Sequence, residues 1–193
     1  MDPLAMRDGE EHIKEFLSNV EGEDVTRDGL QDTPHRVAKM YYEELLSGYG
    51  GDPKEVLKTF ENEGGYKGMV VVRDVPLVSL CEHHMLPFTG RAHIGYLPSD
   101  RIVGLSKLAR LVNIYARRLQ VQEKLTQQIV DAIEEHLNPK GAIVVLEAEH
   151  MCMTVRGVQA PGTLTSTSAV TGVFNTNQEG EKEEFFRLIG RQT

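Results

Sequence analysis

"MVVVRDVPLVSLCEHHMLPFTGRAHIGYLP", residues 69–98, is where the hydrophobic period of the chain changes. Before it, apolar residues recur at helical spacing; from Met69 they run as a β-branched stretch. "MVVVRDVPLVSLC" reads as a strand with an edge or a bend, because Pro76 interrupts it. "TGRAHIGYLP" alternates, ends at Pro98 and reads as the antiparallel partner. Between the two strands sit Cys81, Glu82, His83 and His84.

On the N-terminal side, "EEHIKEFLSNV" carries Ile13, Phe16, Leu17 and Val20 at helical spacing. "DTPHRVAKMYYEELLSGYG" reads as a second helix, with Thr33 as N-cap, Pro34 in the first position and Gly48 as the stop. "DPKEVLKTF" repeats the start signal with Asp52 and Pro53, and "ENEGGYKG" is a loop. On the C-terminal side, "SKLARLVNIYARRL" and "QEKLTQQIVDAIEEHL" read as paired helices, the second with Leu125, Ile129, Ile133 and Leu137 stepping by four. "AIVVLEAEHMCMTVR" and "GTLTSTSAVTGVF" read as the last two strands, and "EKEEFFRLIG" as a closing helix. Helices, hairpin, two helices, hairpin, helix is an α+β order with an antiparallel sheet. The expected division is an N-terminal helical segment, 1–66, and a catalytic domain, 67–193.

Composition narrows the function. The formal net charge is −8, which disfavours generic nucleic-acid binding because phosphate contacts need clustered positive charge. An anionic ligand must therefore meet a local group of Lys and Arg. No apolar run is long enough to span a membrane, and the N-terminus lacks a signal-peptide core, so a cytoplasmic location is expected. Two cysteines do not make a disulfide framework.

The two cysteines each travel with histidines. Cys81 and His84 have the Cys-x-x-His spacing that lets both reach one metal, and "EHMCM" supplies His150 and Cys152. On a strand, residues two apart share a face, so His150 and Cys152 are expected to line one pocket, with Arg156 on the same face. Zinc takes thiolate and imidazole ligands, and a catalytic zinc keeps one position open. Five candidates, Cys81, His83, His84, His150 and Cys152, are too many for an open site. At least one histidine should then stay free for proton transfer. Buried core thiols, or a closed structural zinc, are the alternatives.

No Walker loop and no dinucleotide fingerprint is present, so a phosphorylated substrate must be held by side chains. Lys107 and Arg110 follow Ser106 at a helix start, where backbone N–H groups favour anions. Arg36 and Lys39 carry a weaker case, and Arg117 and Arg118 read as a solvated helix end. Gln122 and Glu123 open a helix; a carboxylate there suits the helix itself, and can also accept a bidentate pair of hydrogen bonds from a base.

Three long stretches, "LCEHHMLPFTGRAHIGYLP", "GLSKLARLVNIYARRLQVQEKLTQQI" and "EHMCMTVRGVQAPGTLTSTSAVTGVF", resemble GTP cyclohydrolase I. The resemblance runs from about Gly29 to Gly190. It implies the tunnelling fold, assembled as a homodecamer of two stacked pentamers with active sites between subunits. It implies a zinc-dependent conversion of GTP to 7,8-dihydroneopterin triphosphate and formate, the first step of pterin and tetrahydrofolate synthesis. By resemblance, Cys81, His84 and Cys152 match the zinc ligands, and His83, His150 and Ser106 match catalytic positions. Water activated by the metal would attack C8 of the purine, and His150 would protonate the ring nitrogen. Gln122 and Glu123 match the guanine-reading pair. Lys107, Arg110 and Arg156 match triphosphate contacts, with Lys39 and Arg36 supplied by a neighbouring subunit. Glu82 is expected to orient a neighbouring histidine. Other tunnelling-fold enzymes acting on a purine or pterin are the second reading.

Overall fold

The computed structural model describes residues 3–178 and 180–191; the outermost residues of the two expected segments lie outside them. The chain forms two compact units, residues 1–47 and 48–193.

The first unit is helical. It contains α1 (Pro3–Ser18), α2 (Asp28–Gln31) and α3 (Thr33–Lys39), which runs on into a π-helical turn at Met40–Leu45. Thr33 is not the cap: it lies inside α3, its hydroxyl donates to the Gly29 carbonyl, and Asp32 takes the cap position. Ile13 and Leu17 are half-buried, whereas Phe16 and Val20 stay exposed.

The second unit begins at Gly48, whose N–H donates to the Arg117 carbonyl. It holds a 3-10 turn (Ser47–Gly50 in full), α4 (Pro53–Val56), β1 (Thr59–Glu61), β2 (Val70–Cys81), β3 (Pro87–Leu97), β4 (Arg101–Val103), α5 (Leu105–Ala116), β5 (Leu119–Gln120) and α6 (Gln122–Leu137). β6 (Gly141–His150), α7 (Met151–Thr154), β7 (Leu164–Val170), α8 (Val173–Thr176) and α9 (Glu181–Leu188) follow. Asp52 does cap α4, accepting from the Lys54 N–H. The sequence "LKTF" leaves the helix instead of continuing it, because β1 pairs antiparallel with β4.

The main sheet has the order β5-β2-β3-β6-β7 and is antiparallel except at the short β2–β5 pairing. With its helical layer this is an α+β fold, the arrangement expected for the tunnelling fold. Alternation sorts the two faces. Phe88, Ala92, Ile94 and Tyr96 of β3, with Ala142, Val144, Leu146 and Ala148 of β6, face Leu108, Leu111 and Val112 of α5 and the buried stripe of α6. Each of the four leucines and isoleucines of that stripe is at most 2% exposed, which stabilises by about 1.5–3 kcal/mol per side chain. The opposite face carries Ile143 and Val145, covered by Phe174, Phe185 and Ile189 from α8 and the α9 end.

The bend read from Pro76 is a bulge between Val72 and Val75, with Asp74 at a left-handed φ of 59°. His93, 2% exposed, holds it: its Nδ1 accepts from the Asp74 N–H at 3.3 Å. Its Nε2 lies 3.6 Å from Glu147, which also pairs with Arg191. Burial pushes the His93 pKa down, and Arg191 adds to that, against the carboxylates of Asp74 and Glu147. An unfolded histidine titrates near 6.5, so as pH falls through ~6.5 the unfolded chain takes a proton that folded His93 refuses. Stability should therefore fall from pH 7.5 to pH 5.5. The drop in urea midpoint should shrink in His93→Gln; an equal drop in that variant would contradict the assignment.

Gly90 lets β3 close on β6. A Cβ there would sit 1.9 Å from the Glu147 carbonyl oxygen, which is backbone and cannot yield cheaply. Gly90→Ala should cost about 3 kcal/mol in denaturant unfolding. Gly50→Ala, with nothing within 4 Å of the added methyl, should stay within about 0.5 kcal/mol of wild type.

Candidate metal centre and its surroundings

The register of β3 against β6 builds the site. Phe88 pairs with His150 at one end of the ladder and Leu97 with Gly141 at the other. The turn that precedes β3 and the segment that follows β6 therefore emerge at the same end of the sheet. That turn is tight: the Cys81 N–H donates to the Leu86 carbonyl, the Met85 N–H to the Cys81 carbonyl, and Met85 is left-handed at φ 54°.

Past His150 the chain leaves the sheet. The expected strand over 142–156 ends at His150, and Met151–Thr154 form one helical turn. The alternation that was to place His150, Cys152 and Arg156 on one strand face thus does not operate. Cys152 reaches the site from α7 instead. Its Sγ, the Cys81 Sγ and a ring nitrogen of His84 all lie within 4.8 Å of one another, a group that could hold a metal ion. Cys81 is buried, Cys152 half-buried and His84 exposed, so the group opens to one side.

The donors suit a soft divalent cation. Two thiols and one imidazole are ligands that zinc prefers, and both thiols must ionise to bind. Burial pushes the Cys152 thiol up, and the neighbouring Cys81 pushes it further, against a backbone hydrogen bond and the charge of Arg156, which act the other way. The protein alone does not stabilise two adjacent thiolates; a bound cation would.

His83 sits close as well, its Nδ1 3.8 Å from the Cys81 Sγ against 3.7 Å for His84. The two imidazoles meet edge to face at 6.2 Å. Glu82 is exposed and tied to β5 by its N–H on the Gln120 carbonyl; among the described residues its carboxylate bonds neither histidine. His150 stacks on the buried Phe88 ring at 4.5 Å and 9°, and its Nε2 lies 2.8 Å from Gln122 Oε1. Burial pushes its pKa down, while the Glu123 carboxylate pulls it back up.

Ser106 and Lys107 do lie in the first turn of α5, and Arg110 follows in its middle, with Ser106 and Arg110 exposed. Glu123 is exposed in the first turn of α6, but Gln122 beside it is 1% exposed. Arg156 is exposed in the loop after α7. Lys39 and Arg36 belong to the first unit; both are exposed, and Arg36 lies 3.5 Å from Asp32. Arg118 is not a solvated helix end. It is half-buried, within cation–π reach of Tyr49 and Tyr115, and donates to the Gly48 and Ile114 carbonyls. Sequence reasoning passed over Phe88, Thr126 and Thr167, all of which pack or bond behind Gln122 and His150.

Fold and side chains define a class of protein: an α+β chain with a Cys/His metal-binding group at one end of an antiparallel sheet, flanked by ionisable groups. Residues 9–190 match the family model of GTP cyclohydrolase I. The chain belongs to the GTP cyclohydrolase I family. It is 54% identical over 173 residues to GTP cyclohydrolase 1 of Carboxydothermus hydrogenoformans, covering 89% of this chain and 88% of that one. It is 53% identical over 182 residues to GTP cyclohydrolase 1 of Desulforamulus reducens, covering 93% and 95%. With GTP cyclohydrolase 1 of Porphyromonas gingivalis the identity is 51% over 183 residues, covering 95% and 93%.

Cys152→Ala should abolish stoichiometric zinc binding, read by elemental analysis after dialysis. His150→Ala should keep the metal. Zinc loss in His150→Ala would move that histidine into the ligand set.

Proposed function

We propose that the protein is a zinc-dependent GTP cyclohydrolase that converts GTP to 7,8-dihydroneopterin triphosphate and formate. The observation that carries the reading is the clustering of Cys81, His84 and Cys152 within 4.8 Å, in a chain of this family. These three residues would hold the ion, which supplies Lewis acidity that activates water near neutral pH.

The remaining roles are those that the family resemblance implies. His150 and His83 handle protons beside the metal group, His150 from a ring kept neutral by burial. Glu123, exposed and close enough to act on His150, reads the guanine edge through its two oxygens. Ser106 assists opening of the ribose. Lys107, Arg110 and Arg156 hold the triphosphate, supplying locally the positive charge that a chain of net −8 lacks overall. Lys39 and Arg36 complete that set from a neighbouring subunit.

Assembly into a homodecamer of two stacked pentamers is part of the proposal. It is supported by two open sheet edges. Among the described residues β7 pairs only with β6, and β5 covers β2 only at Leu80 and Cys81. Unpaired edges of this length are normally covered. Val155, Val158 and Leu164, each more than 60% exposed beside the β7 edge, are also suited to burial by a second copy. No helix among the described residues is long and apolar enough to cross a membrane, and the proposed location is the cytoplasm.

Incubation of the zinc-loaded protein with GTP should yield formate and a product of the mass of dihydroneopterin triphosphate, fluorescent after oxidation. A chelator should stop the reaction and zinc should restore it. Absence of pterin from the zinc-loaded oligomer would sink the reading, and a cyclic phosphate product would replace it with another tunnelling-fold chemistry.

A further inference from the structure

Gln122 faces away from solvent, and every hydrogen-bond direction around its side chain can be assigned. Its Nε2 lies 3.2 Å from the Leu146 carbonyl, 2.9 Å from the Thr165 carbonyl and 3.1 Å from Thr167 Oγ1. Backbone carbonyls only accept, so the NH2 group must point at them; a flipped amide would set oxygen against two carbonyl oxygens. Thr126 Oγ1 donates to the Gln122 backbone carbonyl at 2.7 Å. The 2.6 Å contact between Thr126 and Thr167 must then be donated by Thr167, whose oxygen shares the two amide hydrogens of Gln122 with the two carbonyls. Gln122 and Thr126 are each 1% exposed, so water does not relax this arrangement.

The consequence falls on His150. Gln122 Oε1 can only accept, and it lies 2.8 Å from His150 Nε2. That nitrogen must carry the hydrogen. Stacking on Phe88 holds the ring plane, with the centroids 4.5 Å apart. Among the described residues Nδ1 has no partner.

We propose that Gln122 is a positioning residue that locks His150 as the Nε2–H tautomer, leaving Nδ1 as its one working nitrogen. Gln122 thereby acts through His150 and does not itself read guanine. The proton's destination rests on the cyclohydrolase reading; the tautomer does not. In a transfer, the Nδ1 lone pair takes a proton from water or a substrate hydroxyl. Nδ1 then returns that proton to a ring nitrogen or leaving amine. The N–H bond at Nε2 never breaks, and the ring is back in its starting tautomer.

The test pairs magic-angle-spinning NMR of 15N-histidine protein with steady-state kinetics, both on the zinc-loaded oligomer. The chain has seven histidines, and the His150 signals are those lost in His150→Gln. Wild type should show one Nε2–H tautomer at His150. Gln122→Met should show a mixture, with kcat down about 100-fold, the scale of lost acid–base catalysis, and KM for GTP nearly unchanged. A pure tautomer in Gln122→Met, or a raised KM with kcat retained, overturns the proposal. If Gln122→Met does not fold, Thr167→Val decides by the same two readouts, with a smaller change in the same direction expected. If wild type does not turn over GTP, the cyclohydrolase reading fails, and the NMR tautomer alone judges Gln122.

Discussion

The antiparallel ladder between β3 and β6 is the constraint on which the rest of the second unit depends. Ten consecutive positions pair, from Phe88 opposite His150 to Leu97 opposite Gly141. A slip of one residue would turn Phe88, Ala92, Ile94 and Tyr96 away from the helices and bring His93 and Arg91 into the apolar core, so the register is held by burial on one face. The same register brings the Cys81–Leu86 turn and the α7 turn to one end of the sheet. Gly90 keeps the two strands in contact along the way, with no room for a side chain against Glu147. The site is thus a consequence of core packing, carried by two segments far apart in sequence.

That placement sets an electrostatic problem at one point and solves another beside it. Cys81 and Cys152 are brought together where burial and mutual repulsion oppose the second thiolate. A cation is the economical partner for such a pair. A few positions away, burial works the other way on an imidazole: the His150 pKa is pushed down, with Glu123 as a counterweight. One half-buried pocket therefore favours a bound cation and an uncharged imidazole side by side.

What was legible in the sequence was what depends on local period. The bounds of α6 are those of its four-residue apolar step, because Leu125, Ile129, Ile133 and Leu137 all meet the sheet. The bend in β2 was announced by Pro76, although the bulge itself centres on Asp74. Illegible features depended on partners remote in the chain. Nothing in "HMCMT" breaks a strand, and a single helical turn is too short to show a period, so α7 was read as more strand. Arg118 looked solvated because Tyr49, its stacking partner, lies far upstream. The burial of Gln122 is not legible at the helix start it opens, because Thr165 and Thr167 are contributed by β7.

The adjacent histidines show where geometry decides what spacing leaves open. Distance to Cys81 does not separate them, since the Nδ1 atoms of His83 and His84 are 3.8 and 3.7 Å from its sulfur. Cys152 separates them: the group within 4.8 Å includes His84 and not His83. A Cys-x-x-His pair supplies two donors that a tight turn can bring together, and the third donor from α7 fixes which imidazole joins them. His83, edge-on to its neighbour and exposed, stands outside that group, which therefore counts three donors and not four. Which imidazole joins the two thiols is thereby traceable to where one helical turn follows one strand.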